Sequence, residues 1–115
     1  MQHRFAKYFI CLVMVCGFAA AAHAQADKDR RELMELYFAS IAADRCDFGL
    51  TEIEADAIIR AATALQKKMN LKDEAADLIY EEVETAFESK LPDACKKDGD
   101  AAKAFAEVLT RIRKK

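Results

Sequence analysis

The chain contains few of the residues that interrupt helices. Its 115 residues include one proline and three glycines, and there is no tryptophan. Folds rich in β-structure need many turns, and turns draw heavily on glycine and proline. Alanine, glutamate, lysine and leucine dominate instead, and these residues favour helix. We therefore predict an all-α protein.

Histidine is also scarce, and both copies lie in a segment that we expect to be removed. A basic start (His3, Arg4 and Lys7) precedes an apolar run over 8–22, and Ala22-His23-Ala24 supplies a small-x-small cleavage site. These three parts are typical of a secretion signal. We predict a cleavable signal peptide over 1–24 and a helical domain over 25–115.

The apolar run is about 15 residues long, shorter than the roughly 20 that a helix needs to cross a bilayer. We therefore expect no stable membrane anchor. The predicted location is periplasmic or secreted.

The mature domain then has no histidine. This excludes Ser-His-Asp and Cys-His catalysis, together with histidine-ligated zinc, copper or haem. C-x-x-C, EF-hand and glycine-rich phosphate motifs are likewise absent from the sequence. We predict that the protein is not an enzyme and carries neither a cofactor nor a metal.

Two cysteines, Cys46 and Cys95, remain once Cys11 and Cys16 leave with the signal. A bridge between them would close a loop of about 50 residues and stabilise the fold by roughly 4 kcal/mol through loop-closure entropy. An exported domain of only about 91 residues buries a modest core and gains from such a bridge.

Three segments that favour turns, 46–49, 70–71 and 91–99, interrupt the helical pattern of the mature chain. They divide it into four helical segments, at about 28–44, 51–70, 73–90 and 100–115. Thr51 and Glu54 form a capping box, and Asn70 is suited to a left-handed ending with Leu71 folding back. In an up-and-down bundle the helix 1–2 and helix 3–4 connections share one end. Because each connection holds one cysteine, we predict a small four-helix up-and-down bundle with one disulfide joining them.

Helical periodicity also predicts which residues face the core. The predicted core residues are Ile53, Ala57, Ile58, Ala61, Leu65 and Met69 in helix 2, Ala75, Leu78, Ile79, Val83, Ala86 and Phe87 in helix 3, and Ala101, Phe105, Val108, Leu109 and Ile112 in helix 4.

Charge is unevenly distributed. The full chain has a net charge of −2, and loss of Arg4 and Lys7 leaves 16 basic against 20 acidic residues, or −4. Helix 3 is acidic and the C-terminal helix basic, so we expect their opposed charges to help fix their pairing. The carboxylates of helix 3 are typical of a solvated face, with weak divalent-cation binding as the alternative. The basic tail is short and the protein exported, so we expect no nucleic-acid partner.

Helix 1 has more apolar surface than a helix at the surface of a bundle needs. Its apolar arc spans about 200°, against about 100° for an ordinary surface helix. Two interpretations remain open. Either helix 1 is central and buries the whole arc, or Met34, Leu36, Tyr37 and Phe38 form a protein-binding surface.

The cysteine framework resembles a known family. Cys46-Asp47-Phe48, then Ala61-Ala62-Thr63-Ala64-Leu65, an acidic helix, Ala94-Cys95-Lys96-Lys97-Asp98 and a Lys-rich last helix are similar to periplasmic acid-stress chaperones of the HdeA type. The resemblance covers about 45–115. It implies a homodimer at neutral pH that opens in acid and shields unfolded client proteins.

Other functions fit the same sequence. A specific protein-binding module, such as an inhibitor, an immunity protein or a signalling modulator of the periplasm, would bind one partner tightly at neutral pH. A binder of small ligands or cations is a third interpretation. We expect a protein partner in either of the first two cases.

Overall fold

The computed structural model describes residues 2–114, with side chains from residue 23 onward. The elements are α1 (Gln2–Cys46), α2 (Glu52–Lys68), α3 (Asp73–Glu88), a 3₁₀ helix (Asp93–Cys95) and α4 (Asp100–Lys114). No strand occurs among the described residues. The predicted all-α four-helix fold is confirmed. The predicted signal peptide falls largely outside the described side chains and stays a prediction.

The chain divides into two units, Met1–Arg30 and Arg31–Lys115. In the first unit, the side-chain amide of Gln25 donates to the Asp29 carboxylate one helical turn later, at 3.1 Å. α1 begins earlier than the predicted residue 28, because His23 to Asp27 contain neither glycine nor proline to end a helix. The second unit contains the rest of α1 and all the other elements.

The ends of α2 form as the sequence predicts. The Glu54 amide donates to the Thr51 hydroxyl at 3.1 Å, and the Thr51 amide donates to the Glu54 carboxylate at 3.2 Å, completing the capping box. Asn70 has a positive φ of 54°. The Leu71 amide then donates to the carbonyl of Gln66 at 2.9 Å, which closes the helix end.

Contacts within the second unit give the directions of the helices. Tyr37 stacks edge-on against Tyr80 and Arg45 pairs with Glu88, so α1 and α3 run the same way. The side chain of Gln66, near the end of α2, donates a hydrogen bond to Tyr37, which lies well before the end of α1. The start of α2, in contrast, follows shortly after the end of α1. α2 therefore runs back along α1, and the predicted up-and-down order is confirmed.

The disulfide also forms as predicted. Cys46 ends α1 and Cys95 ends the 3₁₀ helix before α4, and their Cα atoms lie 4.9 Å apart. It ties the end of α1 to the connection between α3 and α4. This joins the start of α4 to the same end of the bundle as the 47–51 connection.

The core centres on α1. Its buried members are Leu33, Leu36, Tyr37, Ala39, Ile41 and Ala42 from α1, Ile58 and Ala62 from α2, Ile79, Val83 and Phe87 from α3, Ala94 from the 3₁₀ helix, and Phe105, Val108 and Leu109 from α4. Most of the large residues predicted for the faces of α3 and α4 are present in this set.

Three predicted core residues are exposed, the small Ala86 and two large side chains. Ile53 is 79 % exposed and Leu78 is 66 % exposed, so their predicted burial is wrong. At 100° per residue, Ile53 lies about 140° around α2 from the buried Ile58, and Leu78 about 140° around α3 from the buried Val83. The buried faces of these helices are narrower than the predicted arcs, and both residues fall outside them.

Candidate functional site

The four residues predicted to form a binding surface on α1 separate into two pairs. Leu36 and Tyr37 are buried in the core, with 8 % and 9 % exposure. Met34 and Phe38 are half-buried and pack against the edge of that core. The helix thus faces the bundle with one pair and approaches the surface with the other, and a binding role for the set stays a prediction.

Tyr37 is held inward by its contacts. Its hydroxyl accepts a hydrogen bond from the Gln66 amide at 2.6 Å, and its ring meets Tyr80 with centroids 5.3 Å apart. Burial raises the pKa of the Tyr37 hydroxyl above 10.0, although the Gln66 hydrogen bond acts in the opposite direction. The side chain is therefore a neutral part of the packing between α1, α2 and α3.

Met34 and Phe38 instead line a groove between α1, α3 and α4. The groove has a volume of about 800 Å³, within the range of ligand-binding pockets. The Phe38 ring packs edge-on against Phe87, with centroids 5.9 Å apart. We call this cleft the α1–α3–α4 groove. Its apolar lining consists of Met34, Phe38, Val83, Ala86, Phe87, Leu91, Ala94, Ala101 and Ala104.

The charged lining of the groove is mainly acidic. Four acids, Glu35, Glu82, Asp93 and Asp100, line it together with a single base, Lys90. Glu35 pairs with Arg111 and Asp93 pairs with Lys96, so part of this charge is already balanced. Ser89 is the remaining polar member of the lining.

Arginine–glutamate pairs join different helices in the described part of the chain. Arg45, at the end of α1, contacts Glu88 at 2.7 Å and Glu84 at 3.7 Å on α3. Arg111 of α4 pairs with Glu35 of α1. Arg113 of α4 pairs with Glu54 of α2 at 2.8 Å. Each of these links depends on an ionised carboxylate.

The ion pairs of the basic end of α4 differ from those that the charge pattern predicts. The basic end of α4 was expected to pair with acidic α3, yet the pairs of Arg111 and Arg113 lead to α1 and α2. The reason is position, because those arginines lie late in α4, where Glu35 and the first turn of α2 are within reach. The acids Glu84 and Glu88 of α3 take Arg45 of α1 instead.

The pKa of Glu54, in the first turn of α2, is lowered by its partners. A hydrogen bond from the Arg113 guanidinium, followed by the bonds from Thr51, holds the pKa of Glu54 below 4.5. Glu54 therefore stays ionised to lower pH than an unpaired glutamate. Its contribution to stability is present above the unfolded pKa and is lost as pH falls through the folded pKa.

Sequence reasoning did not identify the α3 and α4 walls of the groove. Ala86 and Ala101 were assigned to core faces, although Ala86 is exposed and Ala101 is half-buried. The small size of these residues could have indicated the groove, because alanines on facing helices leave space that larger side chains would fill. Ile59 lies outside the predicted apolar face of α2, and it is 62 % exposed.

The described residues include no group of three or more His, Cys, Asp or Glu side chains arranged to hold a metal ion. Within the same part of the chain, no helix combines the length and hydropathy required to span a membrane.

Comparisons with protein-family models, with curated proteins and with solved structures find no match to this chain.

Proposed function

We propose that this protein is an exported acid-stress chaperone, periplasmic or secreted, that binds unfolded proteins through apolar helix faces and performs no catalysis. The observation that carries the proposal is the set of arginine–glutamate pairs between helices. They link α1 to α3, α1 to α4 and α2 to α4, so all four helices are included. Protonation of the glutamates removes each of these links.

Acid also changes the overall charge. The 20 acidic residues of the chain would become neutral, which takes the mature domain from −4 to about +16. Self-repulsion of this size favours expansion of a small domain. Glu54, whose pKa is lowered, should stay ionised to lower pH than an ordinary glutamate, so the α2–α4 link should persist to lower pH than an ordinary exposed pair.

Expansion would uncover apolar surface that the native fold covers. Phe38 packs on Phe87, and Phe48 packs on Phe105 with ring centroids 5.5 Å apart. Both contacts join segments far apart in sequence, so they separate when the helices part. The freed aromatic rings have the size and hydrophobicity needed to bind unfolded clients.

The disulfide limits how far the opened chain can separate. Cys46 and Cys95 stay joined in acid, so α1 and α4 remain tethered at one end. The tether restricts the expanded ensemble and should keep it able to close again when the pH rises.

The test is light scattering from an acid-labile client protein taken to about pH 2. The purified, disulfide-intact protein should suppress client scattering at that pH, and circular dichroism and ANS fluorescence of the protein alone should show that it has opened. Reduced and alkylated protein is the control and should protect less on return to neutral pH. A protein that remains folded at about pH 2 and leaves scattering unchanged would remove the proposal.

A second candidate function is a specific protein-binding module active at neutral pH. The α1–α3–α4 groove favours it, because an apolar cleft of about 800 Å³ is present in the folded state and needs no acid to form. Partner binding at neutral pH with an unchanged circular dichroism spectrum is the expected result. Binding that appears only in acid would exclude this candidate.

A further inference from the structure

The α1–α3–α4 groove has an apolar floor of which the folded protein buries Phe87 and leaves other parts accessible. Met34 and Phe38 are half-buried, and Leu91 at one edge is 38 % exposed. Phe38 and Phe87 form one aromatic pair across the floor, from α1 to α3. A partner that covers this floor must therefore present apolar side chains.

The walls of the groove are lined by small side chains. Ala86 lies on the α3 side, and Ala101 and Ala104 lie on the α4 side. Alanine allows a neighbouring backbone to approach closely, and the open volume of about 800 Å³ can accommodate a row of larger side chains. An amphipathic helix, which presents apolar residues at three- and four-residue steps, matches this shape.

The charge around the groove specifies the other face of such a helix. α3 forms one wall, and its sixteen residues from Asp73 to Glu88 include seven acids and no base. Of these seven acids, Glu82 lines the groove. The lining as a whole has four acids and one base, Lys90, and two of the four acids already form ion pairs with bases outside the lining. Opposite charge across an interface raises the association rate and disfavours partners of the same charge.

We infer that the α1–α3–α4 groove binds a cationic amphipathic helix of a partner protein in the folded, neutral-pH state. The inference rests on the second candidate function and adds the chemistry of its partner. Leucine-sized residues of the partner occupy the floor beside Phe38, and its lysines or arginines face the acids of the groove lining. Acid opening is not required for this interaction.

The test uses two synthetic helical peptides of about 18 residues, long enough to form a helix of about 27 Å. One carries leucine on one face and lysine on the other, and the second replaces every lysine with glutamate. Fluorescence anisotropy titrations of the disulfide-intact protein at neutral pH should show the lysine peptide binding at least about tenfold more tightly. Raising the salt concentration from about 0.05 M to about 0.5 M should weaken its binding.

A matched pair of variants locates the site. Ala86→Arg places a large positive side chain in the groove, while Ala64→Arg makes the same change on α2 outside it. Both alanines are exposed, so both variants should fold, which melting temperatures will verify. Ala86→Arg should weaken binding of the lysine peptide by about tenfold or more, and Ala64→Arg should leave it within about twofold.

The outcomes separate the two levels of the proposal. If neither peptide binds, the groove is not a docking site and the second candidate function loses its support. If both peptides bind equally and Ala86→Arg weakens both, the groove binds helices but the cationic preference is wrong. If the protein alone forms a dimer in sedimentation that Ala86→Arg abolishes, the occupant is a second copy and the inference is overturned.

Discussion

The part of α1 within the bundle and α2 both have an apolar face, yet they bury their apolar residues very differently. In α1, Leu33 is completely buried and Ile41 is 2 % exposed. In α2, only Ile58 among three isoleucines is buried, while Ile53 and Ile59 are 79 % and 62 % exposed. α1 contacts α2, α3 and α4, so it has partners on several sides. In these two helices, the neighbours that each one contacts decide which of its apolar residues are buried.

The largest effect should come from releasing the end of α1. Replacing both cysteines, Cys46→Ala and Cys95→Ala, frees a loop of about 50 residues and should lower the free energy of unfolding by about 4 kcal/mol. Urea unfolding followed by circular dichroism measures the change. Reduction of the native protein is the control and should produce a similar loss. A loss below about 1 kcal/mol would show that α1 is held by packing alone.

The second-largest loss of stability should come from shortening a buried side chain of α1. Ile41→Ala removes buried methyl groups where little relaxation is available, and should cost about 3 kcal/mol. Denaturant unfolding with an unchanged m-value is the expected observation. A cost near zero would mean that Ile41 is not enclosed by the core in solution.

The start of α2 should contribute less. Thr51→Ala removes the hydroxyl that accepts from the Glu54 amide and should cost about 1 kcal/mol. Thermal unfolding detects a change of this size. Thr51→Ser retains the hydroxyl and serves as the control, with stability close to that of the native protein.

The Arg113–Glu54 ion pair between α4 and α2 should make part of the protein's stability depend on pH. Arg113→Gln removes the main cause of the lowered pKa of Glu54. The variant should melt at a lower temperature than the native protein at neutral pH. The difference should shrink as the pH is lowered through the pKa of Glu54, because protonation of Glu54 removes the ion pair from the native protein as well. Lys114→Gln makes the same charge change at an exposed neighbouring position, and a difference of equal size there would contradict the specific pair.

The smallest effect should come from the outer face of α2. Ile59→Ala repeats the Ile41→Ala change at a residue that is 62 % exposed, and should alter stability by less than about 0.5 kcal/mol. Alanine also favours helix slightly more than isoleucine. A loss as large as that of Ile41→Ala would show that Ile59 is covered in solution, for example by a second copy.

The candidate groove was only partly accessible from sequence. Met34 and Phe38 belong to the apolar arc of α1 that the sequence offers as a protein-binding surface, and they line the groove. Leu36 and Tyr37, from the same arc, are in the core because α1 has neighbours on that side. A projection of one helix shows the width of its apolar face. It does not show which part of that face another helix covers.

The sequence by itself determined the local features of this protein. The capping box at Thr51 and the left-handed ending at Asn70 depend on short-range chemistry, and the Cys46–Cys95 bridge follows from one cysteine in each of two connections at the same end of the bundle. Only the tertiary structure decided that α1 is central, that Ile53 and Leu78 face outward, and that Arg111 and Arg113 pair with α1 and α2. These depend on how four helices pack together, since burial and long-range pairing are properties of the neighbours as well as of the residue.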